Sequence, residues 1–157
     1  MTSVNRRFVE AVAILCWVSG ISYYPSAAPL KQTSNTADSS IWNGSYTDEQ
    51  AKRGQAHYLQ DCATCHGDAL AGSEAAPALA GDVFMEAWDG RSAGDLLEKI
   101  QTSMPADSPG RLTKQQYVDI VAFVLKSNGL PAAEHELGRD TALLKEIRLQ
   151  RSKPQAK

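Results

Sequence analysis

Five contiguous residues, Cys62-Ala63-Thr64-Cys65-His66, constrain this chain more than any other feature in it. Two cysteines three positions apart fall on one side of a helical turn, and a histidine follows at once. Both thiols can therefore reach the same planar group while the imidazole stands over its centre. This spacing is that of covalent c-type haem attachment, with two thioethers to the porphyrin vinyl groups and an axial nitrogen on the iron. Three readings compete with it. A thioredoxin-type dithiol sits at a strand-to-helix junction, and no segment of this chain alternates apolar and polar residues as a strand does. A zinc site wants four ligands, and the remaining histidines, His57 and His135, stand in no ligand spacing. A plain disulfide stays open, and with it a haem-free CxxC redox protein as the alternative.

The flanking sequence fits an exported protein. Arg6 and Arg7 precede an apolar run from Ala11 to Tyr24, and small residues follow at Ser26, Ala27 and Ala28. A basic start, a short apolar stretch and a small-residue end make a secretory signal over residues 1–28. A cut after Ala28 or after Gly20 fits, although Pro29 is an awkward neighbour for the first. The apolar run falls short of the roughly 20 residues that span a bilayer, so membrane attachment is expected only if the segment stays uncleaved. Cys16 lies inside this run, which leaves Cys62 and Cys65, too few for a multi-bridge disulfide framework.

Residues 29–45, rich in Ser, Thr and Asn, read as a flexible linker. A compact domain is expected over residues 46–131, and a basic tail over 132–157. Net charge is −2 for the whole chain, yet from Tyr46 to Leu137 there are 14 acidic and 7 basic residues. From Gly138 onward six basic residues face two acidic ones. An acidic body argues against nucleic acid as a partner.

Start signals place three helices. Thr47 with Gln50 forms a capping box that opens a helix running toward Cys62. Ser92 with Asp95 opens a second, carrying Leu96, Leu97 and Ile100. Thr113 with Gln116 opens a third, with Leu112 and Tyr117 as a hydrophobic staple and Ile120, Val121, Val124 and Leu125 at the helical period. Asn128-Gly129 ends it and Pro131 blocks continuation. Asp140 to Arg151 offers a short amphipathic helix with Ala142, Leu143, Leu144 and Ile147 inward, or a solvated tail. The domain reads as all-α.

A low-spin electron carrier needs a sixth iron ligand, and a thioether favours the reduced state. Met104 follows the second helix and Pro105 stiffens the loop behind it. Met85, in Phe84-Met85-Glu86-Ala87, reads as packing. His57 and His135 are weaker candidates.

In order along the chain come Gly54 and Tyr58, then Cys62 to Gly67, Pro77-Ala78-Leu79, and Met104-Pro105 before the last helix. Over about Tyr46 to Leu130 this series resembles the class I mono-haem c-type cytochromes. The resemblance implies a small all-α cytochrome c fold, with helices packed around one covalent haem. It makes Gly54 the small residue where first and last helices cross, with Tyr58, Tyr117 and Val121 around it. It implies that the Pro77 carbonyl accepts the second ring hydrogen of His66, and that Leu79 presses on the porphyrin. The stretch from Phe84 through Trp88-Asp89-Gly90-Arg91 is similar to cytochromes that serve quinoprotein (PQQ) dehydrogenases. Trp88 and Arg91 become candidates for a haem propionate.

Together these readings imply a periplasmic or otherwise exported one-electron carrier rather than an enzyme. Its expected cofactor is one haem c, held by Cys62, Cys65, His66 and Met104. Expected partners are redox proteins: a dehydrogenase as donor, and an oxidase or another cytochrome as acceptor. If Met104 is labile, the alternative is a haem enzyme or gas sensor.

Overall fold

The computed structural model describes residues 40–155. The residues read as a secretory signal, and those of the linker up to 39, lie outside that range. Six α-helices follow a short 3-10 helix at Ile41–Asn43. They are α1 (Asp48–Asp61), α2 (Ala63–His66), α3 (Asp82–Trp88), α4 (Ala93–Ser103), α5 (Lys114–Ser127) and α6 (Thr141–Leu144). Among the described residues no strand forms; two isolated bridges, Ser40 with Arg148 and Ser92 with Arg148, are the only extended pairings. No described helix is long and apolar enough to cross a membrane.

The helix starts follow their caps. Ser92 with Asp95 and Thr113 with Gln116 make reciprocal capping boxes, each satisfying two amide donors that a helix start leaves unpaired. At α1 only half of the expected box forms. The Thr47 hydroxyl accepts from the Gln50 amide, but the Gln50 side chain turns the other way. It donates Nε2 to the Leu137 carbonyl (3.0 Å) and accepts the Leu137 N–H at Oε1 (2.7 Å). Gln50 is fully buried, so a backbone segment far along the chain is a better partner for it than the exposed helix start.

The α1–α5 crossing forms the centre. A Cβ placed on Gly54 would lie 1.7 Å from the Asp119 carbonyl oxygen, so the two backbones touch there and only glycine fits. Tyr58, Tyr117, Val121, Val124 and Leu125 are buried around this contact, and the Tyr58 and Phe123 rings pack 5.3 Å apart. Asp119 is 2% exposed and is held by Arg53 (3.1 Å) and Gln115 (2.7 Å). Arg53 also reaches Glu136 at 2.8 Å, and this links the crossing to the segment beyond α5.

The structure departs from the sequence reading at both ends of the domain. Residues 40–45, read as linker, are packed: Ile41 is fully buried and its amide donates to the Arg148 carbonyl (3.0 Å). Trp42 Nε1 donates to the Gln150 carbonyl (2.9 Å). The segment after Pro131 is no solvated tail either. It wraps back as a belt, burying Leu137, Leu144 and Leu149. Each of these contributes roughly 1.5–3 kcal/mol of transfer free energy. Backbone bonds fasten the belt to the α3–α4 turn: Gly90 N–H to Leu149 O, Leu149 N–H to Arg91 O, and Ala93 N–H to Ile147 O. Gly94 makes room for it, because a Cβ there would stand 2.7 Å from the Lys145 amide nitrogen. Of the four side chains expected to point inward, Leu144 is buried and Ile147 packs at the core margin. Ala142 and Leu143 face out, Leu143 at 69% exposure. The reason is length. A helix of four residues presents one inward position, and the next apolar contact comes from Leu149, after the helix has ended.

Candidate haem-attachment site

The attachment turn is made by a break between two helices. Cys62 caps the end of α1 and the start of α2, with φ −128° and ψ −33°. Its amide donates to the Tyr58 carbonyl (2.8 Å), and its own carbonyl accepts from the amides of Cys65 and His66. Gly67, at φ +76°, ends the turn; that backbone conformation suits glycine. Cys62 is half-buried, Cys65 is exposed, and neither is in a disulfide. Burial pushes the Cys62 thiol up to about 11, with the Asp61 charge adding to the rise and Arg111 opposing it.

His66 is 7% exposed. Its Nδ1 stands 2.8 Å from the Pro77 carbonyl oxygen. A carbonyl only accepts, so Nδ1 carries the proton and Nε2 keeps a free lone pair. Nε2 makes no hydrogen bond to any described residue and is not an orphaned buried atom. A nearly buried imidazole with one nitrogen fixed and the other available is what an axial ligand requires. The donor set of two uncommitted thiols and this nitrogen on a single turn fits a haem c.

The loop after Gly67 brings Pro77 back over His66. The Gly72 amide donates to the His66 carbonyl (2.8 Å), the Ser73 hydroxyl to the Cys65 carbonyl (2.7 Å), and the Leu79 amide to the Leu70 carbonyl (2.8 Å). A Cβ on Gly72 would meet the Ala78 nitrogen at 2.5 Å, so this fold-back depends on that glycine. Tyr58 donates its hydroxyl to the Gly67 carbonyl (2.6 Å) and ties the turn to α1. Leu70 is buried and Leu79 packs at the core margin.

Met104 is the C-cap of α4, half-buried, with its amide bonded to the Ile100 carbonyl. Its own carbonyl accepts the Tyr117 hydroxyl (2.9 Å), so α5 holds the methionine backbone directly. Met85 is buried beside Phe84 on α3. Trp88 and Arg91 come together, with the guanidinium 4.3 Å from the indole centroid, within cation–π range. His57 is half-buried and His135 exposed. Among the described residues no cluster of three or more His, Cys, Asp or Glu could hold a metal ion.

Two features had no sequence signal. The fold-back hydroxyls of Tyr58 and Ser73 take part in the turn, and Asp61 pairs with Arg111 (2.7 Å), an acid and a base separated by half a domain of sequence.

All-helical packing about a tight α1–α5 crossing, with this turn at its edge, is the small all-α fold of the class I c-type cytochromes. A family model described as "Cytochrome C oxidase, cbb3-type, subunit III" matches residues 49–124. The cbb3-type cytochrome c oxidase subunit CcoP of Azospirillum sp. (strain B510) is 32% identical over 95 residues, which is 50% of this chain and 31% of that protein. The chain thus spans about a third of the length of the curated relative it matches. The sulfane dehydrogenase SoxCD from Paracoccus pantotrophus aligns in structure over 83% of this chain and 68% of that one, at 22% identity and a TM-score of 0.47. Residues 49–124 are thus similar to cytochrome c domains, a haem-binding, electron-transport class.

Proposed function

We propose that this chain is a one-electron carrier with a single haem c and histidine–methionine ligation, exchanging electrons with redox partner proteins outside the cytoplasm. In this reading Cys62 and Cys65 would form the thioethers, His66 Nε2 and the Met104 sulfur would ligate the iron, and Leu79 would pack against the porphyrin. Trp88 and Arg91 would be the partners of a propionate. Bound there, a haem c supplies a reversible one-electron couple. The chain's own residues do the rest. The Pro77 carbonyl fixes the His66 tautomer and raises its basicity. Tyr117 anchors the Met104 backbone.

The observation that carries the reading is the His66–Pro77 bond, at 2.8 Å, on the same turn as both thiols. The all-helical fold speaks against the haem-free dithiol, since a thioredoxin-type pair sits at a strand-to-helix junction and no strand forms among the described residues. The similarity of the Phe84–Arg91 stretch to cytochromes that serve quinoprotein dehydrogenases favours a dehydrogenase donor, and the CcoP relative favours an oxidase or another cytochrome as acceptor. The N-terminal sequence favours export, with membrane attachment if the signal stays in place.

Haem staining of a denaturing gel tests the covalent bond, and iron and haemochrome assays give the stoichiometry, expected at one per chain. The oxidised protein should show the sulfur-to-iron charge-transfer band of methionine ligation, and Met104→Ala should abolish it and lower the potential. An unchanged spectrum in Met104→Ala would move the ligand to another residue. Colourless, fully alkylatable protein after export and maturation would overturn the whole reading.

A further inference from the structure

We propose that the Asp61–Arg111 ion pair is a latch: it holds the loop carrying Met104 against the attachment turn and so sets how readily the sixth iron position opens to an outside ligand. The proposal rests on Met104 being that ligand.

Asp61 is the last residue of α1, directly before Cys62. Arg111 lies near the end of the loop joining α4 to α5, the loop that begins at Met104. Their side chains meet at 2.7 Å. Because Asp61 adjoins Cys62, the C-cap of α1, the pair stands beside the first thioether position. It thus bridges one thioether position and the loop of the proposed sixth ligand.

The pair is asymmetric. The Asp61 side chain is 3% exposed and that of Arg111 41%. With the loop closed and the cation gone, the carboxylate would have little solvent and no partner, which is the costly half of breaking such a pair. The rest of the loop offers weaker resistance. Within it, Ser108 N–H bonds to Pro105 O, Arg111 N–H to Ser108 O (3.4 Å) and Gly110 N–H to Met104 O (3.5 Å). Residues 106–111 are exposed. Beyond these local turns its side-chain polar ties are Tyr117 at its start and Arg111 at its end, beside the buried Pro105 and the core-packed Leu112. Removing the Arg111 tie leaves the far end of the loop to the packing of Leu112 alone.

The test is the rate at which added imidazole displaces methionine in the oxidised, fully matured holoprotein, followed by loss of the charge-transfer band. Arg111→Gln should speed displacement about tenfold, the factor expected when one tie of an unequally buried pair is lost. Asp61→Asn should speed it less, since it strands only the exposed guanidinium, and the double variant should be no faster than Arg111→Gln alone. Arg111→Lys should recover part of the effect, because a lysine supplies the charge without the fork. Arg111 is exposed enough for its variants to fold, and a thermal melt checks this. If Arg111→Gln exchanges at the rate of the unmodified protein while both show the band, the latch is overturned and methionine ligation stands. If the two single effects multiply in the double variant, the residues act separately and the latch is again overturned. If the unmodified protein lacks the band, the ligand assignment and the latch fall together.

Discussion

Replacing Gln50 with leucine tests whether the belt after Pro131 belongs to the domain. Gln50 is fully buried and Leu137 is 3% exposed; between them run two hydrogen bonds, of 2.7 and 3.0 Å. Leucine is similar in size but answers neither. If the belt stays in place, one buried N–H and one buried C=O lose their partners, at about 1–3 kcal/mol each. If instead the belt lifts near Leu137, the two groups find water but the burial of Leu137 is lost, roughly 2 kcal/mol, on top of the net worth of two hydrogen bonds, about 1 kcal/mol each. The Arg53–Glu136 pair adds little, since both side chains are over 40% exposed. The cheaper route decides, and the two estimates meet at about 4 kcal/mol of lost stability, or a fall in melting temperature on the order of 10 °C. Thermal melts of the holoprotein measure the size, and hydrogen exchange at the Leu137 amide distinguishes the routes. A loss below about 1 kcal/mol, with the Leu137 amide still protected, would refute the claim that this side chain ties the belt down.

Three further outcomes are expected. Gly54→Ala puts a methyl 1.7 Å from the Asp119 carbonyl oxygen; the helices must part by more than 1 Å, and an overpacking cost at or above the usual 1–3 kcal/mol outweighs the roughly 1 kcal/mol gained in helix propensity. A melting temperature equal to that of the unmodified protein would contradict the close crossing. Cys62→Ser with Cys65→Ser should abolish covalent haem, seen as an unstained band, and leave a poorly folded chain; a well-folded apo-domain by circular dichroism would deny the haem its part in the interior. Tyr46 and Tyr58 are both raised to about 12, burial first and nearby negative charge second. Their folded values lie above the ordinary tyrosine range, so the stability they contribute is complete below pH 10 and is lost as pH rises toward 12. Ionisation would also remove the donors to the Leu130 and Gly67 carbonyls. Alkaline titration followed by circular dichroism should show unfolding in that window, and Tyr58→Phe should shallow it; identical curves would count against linkage.

What the sequence made legible is what local chemistry dictates. The attachment turn is contiguous because two thiols and an imidazole must serve one ring, and helix caps are contiguous because a start needs its partner three residues on. Gly54 was marked by the family resemblance alone, and the structure supplies its reason, a crossing that leaves no room for a Cβ. The belt was hidden for the opposite reason. Leu137, Leu144 and Leu149 follow neither a helical nor a strand period, and the belt's partners lie far back in the chain: Gln50 for Leu137, Arg91 for Leu149 and Ile41 for Arg148. Gln50 misled in a particular way. Its spacing from Thr47 satisfied the capping-box pattern, so nothing marked it as available, yet burial made the Leu137 backbone the better partner. The same physics separates the two functional pairs. His66 and Pro77 were legible only through the family resemblance, and the structure brings them together across a loop eleven residues long. Asp61 and Arg111 meet only after α1 has packed beneath the Met104 loop. A charge pair of that kind carries no pattern in the chain, and its role becomes visible only once the depth of each partner is known: a carboxylate shut away from water makes its one exposed cation hard to lose, and the loop bearing that cation is held for the same reason.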